Sequence, residues 1–362
     1  MKPAGAAVKI AVKANVALAP LTTFQIGGAA RHFCAITEEG QIPPALEFAE
    51  RQHLPVFVLG GGSNVLVSDV GFPGLVLAMR IVGRQRSGAE IEVGAGETWD
   101  GFVAWCVQQD LAGLECLSGI PGSTGGTPIQ NVGAYGQEVA ETITAVRAWD
   151  RQAQEFVELG QGDCRFGYRS SRFNGSDGGR YVVSSVRFAL RPGGAPAVRY
   201  PDLQKRLGAA QPSLAQVRDT VLAVRRGKGM VIEASGAPWG SAGSYFKNPV
   251  LTAEQYETLA HLAELPRGGH LPLFAGPDGQ TKTSAAWLIE KAGFAKGFRP
   301  LVNGQPGSAG LSPQHTLALV NYGGARAADV LALQGEIQAA VEAKFGIRLH
   351  PEPIFVGPPP RG

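Results

Sequence analysis

The sequence predicts a loop-rich α+β protein of about two to three domains. Three observations predict it. The chain has 362 residues, 44% of them hydrophobic, which is enough for an ordinary core in each domain. Gly 50 and Pro 25, spread along the chain without a repeat, mark many tight turns. Strand-like runs dominate the first half, and helix-period stretches dominate after Pro192. The same composition excludes collagen, a coiled coil and a long disordered tail. Lys+Arg 33 against Asp+Glu 30 leaves a net charge of +3 and a pI near 8.7. So small an excess gives no basis for a nucleic-acid surface, yet it suits an anionic small molecule.

Taken in order, residues 1–18 read as a leader. Its A-L-A could pass for a cleavage site, but Lys9, Lys13, Asn15, Pro20, Thr22 and Thr23 break the apolar stretch that a secretory signal needs. No apolar run approaches the length of a membrane span, so a cytoplasmic protein is expected. From Leu21 to Asp69, strand-like FCAI, PVFVLG and VLVSD flank one helix pattern, PALEFAERQH. From Gly74 to Leu190, GLVLAM, EIEVGAG, TAVRAWD, FVELG and RYVVSSVRFAL read as strands around one helix, WDGFVAWCVQQDL. Leu214, Val217, Val221 and Val224 then fall at helix spacing, with Arg225 and Arg226 before Gly227 as a stop. Thr252 with Gln255 forms a capping box for LTAEQYETLAHLAEL, and SAAWLIEKAGF is a further helix. In ADVLALQGEIQAAVEAKFGI, Val330, Leu333, Ile337, Val341 and Phe345 share one face. The reading is an α+β region to about residue 215, then a smaller α/β module.

Cys34, Cys106, Cys116 and Cys164 form no C-x-x-C pair and the six histidines are scattered, so no metal is expected. Free thiols of a reducing compartment are the simpler account.

Two glycine clusters carry more information. In PVFVLGGGSNVLVSD a strand enters Gly60, Gly61, Gly62, Ser63 and Asn64, and Val65 opens another strand-like run. No helix follows, so this is not a Rossmann fingerprint. Successive glycines can still turn N–H groups inward as a nest for phosphate oxygens, with Ser63 and Asn64 as added donors. A tight strand-to-strand turn is the alternative. The second cluster, GLECLSGIPGSTGGTPIQNVGAYG, holds Gly119, Gly122, Gly125, Gly126, Gly133 and Gly136, with Gln130 and Asn131 side by side. Such density needs a compensation, for instance close backbone approach to a ligand; a plain Ω-loop is the other reading. Two loops of this kind suit a dinucleotide with a long phosphate bridge.

GGGSNVLV, IPGSTGGTPIQNVGAYG, CRFGYRSSRF, GSYFKNP and HPEPIF occur in this order, and the order resembles the UDP-N-acetylenolpyruvoylglucosamine reductase (UDP-N-acetylmuramate dehydrogenase) family over about residues 20–356. VRYPDL is similar to the tyrosine-bearing segment of one subclass. The resemblance implies a vanillyl-alcohol-oxidase-like FAD-binding fold of two subdomains plus a C-terminal α/β substrate-binding domain. The implied boundaries are FAD subdomains at 19–75 and 76–215, a substrate domain at 216–350, and a segment, 351–362, returning to the active site. It also implies non-covalent FAD, NADPH as hydride donor, a monomer, small-molecule partners and a role in peptidoglycan precursor synthesis. Hydride would pass from flavin N5 to the enolpyruvyl β-carbon. The implied FAD contacts are Gly60, Gly61, Gly62, Ser63, Asn64, Val65, Pro121, Gly122, Ser123, Gly125, Gly126, Gln130, Asn131 and Gly133.

Reducing an enol ether conjugated to a carboxylate needs a hydride at the β-carbon, a stabilised carboxylate, and a proton at the α-carbon. Arginine suits the carboxylate because its planar fork binds it bidentately and stays charged. Arg165, Arg169 and Arg172 are available, and the family pattern selects Arg169, after Tyr168. It likewise selects Ser244 over Ser241 as proton donor and Glu352 as the carboxylate that orients the enol. Tyr168, Tyr200, Lys228 and Asn248 are the implied substrate contacts. Phe274 stands near where some members carry a tyrosine, and His315 is open between substrate contact and packing. A flavin oxidase of the same fold, or a flavin-free nucleotide-sugar sensor, are the competing readings.

Overall fold

In the computed structural model the described residues are 8–208, 211–232, 239–262, 271–276 and 279–359. They divide into two compact units. The first comprises Ala30–Gly62 and Pro73–Ala234 with the segment ending at Val16; the second comprises Ala17–Ala29, Ser63–Phe72 and the chain from Ser235 onward. Residues 1–7 of the expected leader, most of the SGAPWG segment and all of PRGGH lie outside the described residues.

In the first unit, one sheet has the spatial order Val12–Ala17, Ala29–Ile36, Phe72–Met79, Val56–Leu59, and the last two strands are parallel. Residues 12–17, read from sequence as part of a leader, are therefore its edge strand. Helix α1 (Ile42–Arg51) buries Ile42, Ala45, Leu46 and Ala49 in one core with Cys34, Ile36, Leu75 and Leu77. That spacing of three, four and seven is one helical stripe. A second sheet holds five antiparallel strands in the order Glu155–Gly160, Ile143–Asp150, Tyr181–Ala189, Glu90–Gly94, Arg84–Ser87. Helix α2 (Trp99–Gln108) packs Trp99, Phe102, Val103 and Cys106 with Ile91, Val93, Val146 and Val186 of this sheet. Helix α3 (Pro201–Leu207) and helix α4 (Leu214–Gly227) complete the unit. Ser213 caps α4, its hydroxyl accepting from Gln216 N at 3.2 Å while Gln216 Oε1 accepts from Ser213 N at 2.8 Å. Composition assigned α4 to the C-terminal module, but Val217 and Val221 pack with Cys116 and Leu203 inside the first unit.

The second unit has two three-stranded antiparallel sheets. One orders Gly240–Ser241, Leu319–Asn321, Ala309–Leu311, the other Val250–Leu251, Thr281–Thr283, Leu273–Ala275. Among the described residues three α-helices accompany them: α5 (Ala253–Leu262), α6 (Ala285–Lys291) and α7 (Ala327–Phe345). The Thr252–Gln255 capping box is present, with both hydrogen bonds at 3.1 Å. The α7 stripe Val330, Leu333, Ile337, Val341 and Phe345 is 0–1% exposed and forms the spine of this core. At its start the Asp69 carboxylate accepts from Ala327 N at 2.7 Å and Ala328 N at 3.1 Å, which suits the positive end of the helix. Strand Val65–Val67 pairs in parallel with Ile354–Val356, so a segment near the C-terminus returns beside this early strand. No helix among the described residues is long and apolar enough to cross a membrane.

Truncating Ile337 to Ala removes buried methyls from the centre of the α7 stripe. We expect about 2–5 kcal/mol of lost stability. A denaturant titration checks it, and a loss near that of a surface site would mean that α7 is not the spine of this core.

Candidate functional site

In the first unit the glycine clusters lie back to back. A Cβ added at Gly61 would stand 2.5 Å from Gly122 Cα and 2.9 Å from Ser123 N, and one at Gly60 would stand 2.6 Å from Ser123 Oγ. A side chain at Gly61 is therefore impossible without moving backbone, whereas one at Gly60 would displace the Ser123 hydroxyl. Gly122 adds a φ of +127°, open only to glycine. Charged groups hold the loops from outside. Arg80 Nη1 donates to Gly60 O at 3.2 Å and to Met79 O at 2.7 Å. Asp100 Oδ1 accepts from Gly119 N at 2.5 Å and also binds Arg218, through two contacts at 2.6 and 2.8 Å. Arg225 Nε donates to Gly119 O at 3.1 Å.

These residues fit FAD. Ser123 is 7% exposed, and its hydroxyl finds no hydrogen-bond partner among the described residues. A buried hydroxyl left unpaired costs about 1–3 kcal/mol, and a phosphate or ribose oxygen would remove that cost. Backbone cradle and orphan hydroxyl stand together. Gly60–Gly62, Pro121–Ser123, Gly125 and Gly126 would hold the group; Gln130, half-buried, lies farther along the same loop. Asn131 is placed otherwise. It is 1% exposed, Nδ2 donates to Glu138 Oε2 at 2.7 Å and Gly167 O at 3.0 Å, and Oδ1 accepts from Ala140 N at 3.2 Å. Its side chain holds the arginine segment instead of facing outward.

That segment carries Arg165, Arg169 and Arg172, and the structure distinguishes them. Arg172 is committed to Asp177 at 2.7 Å. Arg165 is exposed. Arg169 has a left-handed φ of +51°, stacks over the Tyr168 ring at 5.4 Å, and donates to Gly133 O at 2.6 Å. Gly133 is close because a Cβ there would meet Arg169 Nη1 at 3.1 Å. Arg165 shares that left-handed φ, at +50°, so the ring stack and the bond to Gly133 O set Arg169 apart.

Tyr200 and Lys228 lie near one another's partners. Tyr200 precedes α3 and meets Tyr135 edge-to-face at 5.6 Å. Tyr135 hydrogen-bonds Arg225, which is 8% exposed and also donates to Met230 O at 3.0 Å. Lys228 caps the end of α4; burial pushes its ammonium pKa down, and the charges of Arg225 and Arg206 push the same way against Asp202. Sequence reasoning missed Asp100, Tyr135 and Arg225. Arg225 had a signal: it continues the stripe Leu214, Val217, Val221 by another four residues, so its burial was readable.

In the second unit the motifs around Ser244 and Glu352 run side by side. Glu352 N donates to Tyr245 O at 2.8 Å, Lys247 N to His350 O at 2.9 Å, and Phe246 bridges Pro351 antiparallel. Ser241 ends the strand Gly240–Ser241 and opens the turn after it, its hydroxyl accepting from Gly243 N at 3.3 Å. Ser244 is half-buried beyond that turn. The Asn64 amide makes a backbone contact: Nδ2 donates to Glu352 O at 3.1 Å. Ser63 is half-buried beside it, while Val65 is buried in the strand pair with Ile354. Asn248 Oδ1 accepts from Ala285 N at 3.0 Å at the start of α6. Phe274 is 40% exposed in its strand. His315 is half-buried in a turn, where its carbonyl accepts from Ala318 N at 3.1 Å. All four cysteines are free and buried, and burial pushes the thiols of Cys106, Cys116 and Cys164 up to about 12. No metal-holding group of side chains occurs among the described residues.

Comparison with known proteins agrees with both units. Residues 235–356 match the family model described as UDP-N-acetylenolpyruvoylglucosamine reductase, C-terminal domain, and residues 30–159 match an FAD binding domain. The UDP-N-acetylenolpyruvoylglucosamine reductase of Streptomyces avermitilis is 46% identical over 94% of this chain and 93% of its own length. That of Thermobifida fusca is 43% identical over 95% of this chain and 97% of its own. The crystal structure of UDP-N-acetylenolpyruvylglucosamine reductase from Thermus caldophilus superposes with a TM-score of 0.65 at 26% identity, covering 96% of this chain and all of that one.

Gly61→Ala forces a methyl against the Gly122 backbone. We expect purified protein that is folded but carries less than about a tenth of the wild-type flavin, because the cradle must open to admit a Cβ. Flavin absorbance per protein, read beside the circular dichroism spectrum, checks it; a full flavin complement would show that the two loops can separate.

Proposed function

Since the chain belongs to the UDP-N-acetylenolpyruvoylglucosamine reductase family, we propose that it reduces UDP-N-acetylglucosamine enolpyruvate to UDP-N-acetylmuramate, with NADPH as reductant. The protein is an FAD-dependent oxidoreductase of peptidoglycan precursor synthesis. The chemistry that bound FAD supplies is two-electron carriage from NADPH to the enolpyruvyl β-carbon. The remaining tasks fall to this chain. Arg169, fixed by Gly133 O and the Tyr168 ring, meets the enolpyruvyl carboxylate as negative charge flows into it. Ser244 gives the proton to the α-carbon. Its hydroxyl is a poor acid alone, and it becomes adequate only against the carbanion-like carbon that forms beside it. Glu352 accepts a hydrogen bond from the enol and fixes its orientation.

One observation carries this reading: the Glu352 N–H donates to Tyr245 O at 2.8 Å. It brings the carboxylate-bearing segment beside the segment of the hydroxyl, although 108 positions separate Ser244 from Glu352 in sequence. Tyr200, Lys228 and Asn248 bind the UDP diphosphate, supplying a hydroxyl, a cation and an amide. Tyr168 supports Arg169 and lines the same substrate.

Ser244→Ala should leave anaerobic flavin bleaching by NADPH within about twofold of wild type and slow the return of colour on adding the enolpyruvyl sugar by about 10²–10⁴-fold. Stopped-flow absorbance separates the two half-reactions. Equal slowing of both would mean that Ser244 belongs to the fold or to the flavin site. For Lys228→Ala, a charge-assisted phosphate contact is worth about 1.5–3 kcal/mol, so KM for the UDP-sugar should rise about 10–100-fold with kcat little changed. Added salt should weaken wild-type binding more than mutant binding. A lowered melting temperature with unchanged KM would reduce Lys228 to a helix cap.

A further inference from the structure

Glu352 stands between Pro351 and Pro353, and that context sets a positioning problem. Proline fixes its own φ and restricts the residue before it to extended backbone, so the segment is stiff along the chain. It is also poor in donors, because neither proline has an N–H. The direction of the Glu352 side chain therefore depends on what its own peptide groups are tied to. One tie is Glu352 N–H to Tyr245 O at 2.8 Å. The other side is held by Asn64. Asn64 Nδ2 donates to Glu352 O at 3.1 Å, and Asn64 O accepts from Ile354 N at 3.0 Å. A single residue thus grips both sides of Pro353. The grip continues into strand Val65–Val67, which pairs in parallel with Ile354–Val356, and Leu66 and Val67 of that strand are each 1% exposed. Asn64 is half-buried, so its amide does not merely decorate a surface.

We infer that Asn64 is a positioning residue for Glu352, acting through the carbonyl of Glu352 itself. The inference rests on the role given to Glu352 above. The chemistry of the amide explains the residue type. A donor is needed toward a carbonyl, and the position must stay neutral, because a carboxylate there would repel both that carbonyl and the Glu352 side chain. Serine is too short to make the same reach. When the bond is lost, Glu352 keeps its anchor to Tyr245 but gains freedom about the following peptide. A misplacement of about 1 Å of a reacting group costs on the order of 10²-fold.

The test is a double-mutant cycle on the flavin-loaded protein, with Asn64→Ala, Asn64→Asp, Glu352→Gln and the paired variants. Flavin content and melting temperature are read first, then the two half-reactions by anaerobic stopped flow. We expect Asn64→Ala, compared per bound flavin, to slow reoxidation by the enolpyruvyl sugar about 10–100-fold more than it slows reduction by NADPH. Asn64→Asp, which keeps the shape but removes the donor, should slow reoxidation at least as much. In the Glu352→Gln background, Asn64→Ala should add less than about twofold, because residues acting through one another are not additive. A full, multiplicative loss in that background overturns the inference alone. So does an equal slowing of both half-reactions, which would make Asn64 a cofactor or folding residue. If Glu352→Gln itself reoxidises at the wild-type rate, the catalytic reading of Glu352 fails, and this inference fails with it.

Discussion

The contact between two glycine loops in the first unit is the constraint on which the flavin site depends. With Gly61 and Gly122 meeting at a distance that excludes a single methyl, the loops have one relative arrangement. Glycine makes that approach possible and also loosens it, since each glycine adds about 0.5–1 kcal/mol of entropic cost relative to alanine. Something must hold the backbone from behind. Charged side chains do so: Arg80 on the carbonyl of Gly60, and Asp100 and Arg225 on the two ends of Gly119. Asp100 is fixed in turn by Arg218, so helix α4 supplies two of the ties. Cradle rigidity is therefore imported from helices and not made within the loops.

The second unit solves a different problem. Its catalytic candidates lie at sequence positions far apart, and a hydroxyl and a carboxylate have no intrinsic tendency to meet. Backbone pairing does the work. The parallel pair Val65–Val67 with Ile354–Val356 closes a long sequence separation, and the Tyr245–Glu352 backbone bond lies beside it. Asp69, four residues after the strand's start, ties the same segment to the first turn of α7, whose stripe is the centre of the core. The carboxylate position is thus referenced to the best-packed element of the unit.

Much of this was legible in the sequence. Helix positions followed from apolar spacing, whereas Ser244 and Glu352 were selected only by the family resemblance, because a serine in a glycine turn and a glutamate between two prolines carry no local signal of their own. The Thr252–Gln255 box was readable because capping is a local interaction. What was not legible is where neutral amides point. Asn64, Asn131 and Asn248 were expected to face ligands, yet each makes at least one side-chain hydrogen bond inside its own unit. The reason is physical: an amide is both donor and acceptor, so it serves a backbone carbonyl or N–H as well as a ligand, and its partner is set by tertiary contacts that leave no local pattern. Arg225 does stand in the last turn of its helix as read, but its burial went unread, although its place on the apolar stripe was evidence for it.

Arg225 also explains why the region around Lys228 suits a diphosphate. A buried guanidinium is tolerable when its donors are satisfied, and Arg225 meets Gly119 O, Met230 O and the Tyr135 hydroxyl. Those partners are neutral, whereas Arg218 on the same helix faces a carboxylate. The Asp100 carboxylate acts on Arg225 from its place on Gly119 N, yet the charge of Arg225 is felt beyond it. It reaches Lys228, whose pKa is already lowered by burial and is lowered further by Arg225 and Arg206, with Asp202 opposing. In the unliganded protein these cations repel one another in a partly dry setting, where Coulomb terms are stronger than in water. An arriving diphosphate would relieve that repulsion and make its own contacts in the same step. The favourable change on binding is then larger than the contacts alone, and it falls as pH rises and Lys228 loses its proton earlier than an exposed lysine would.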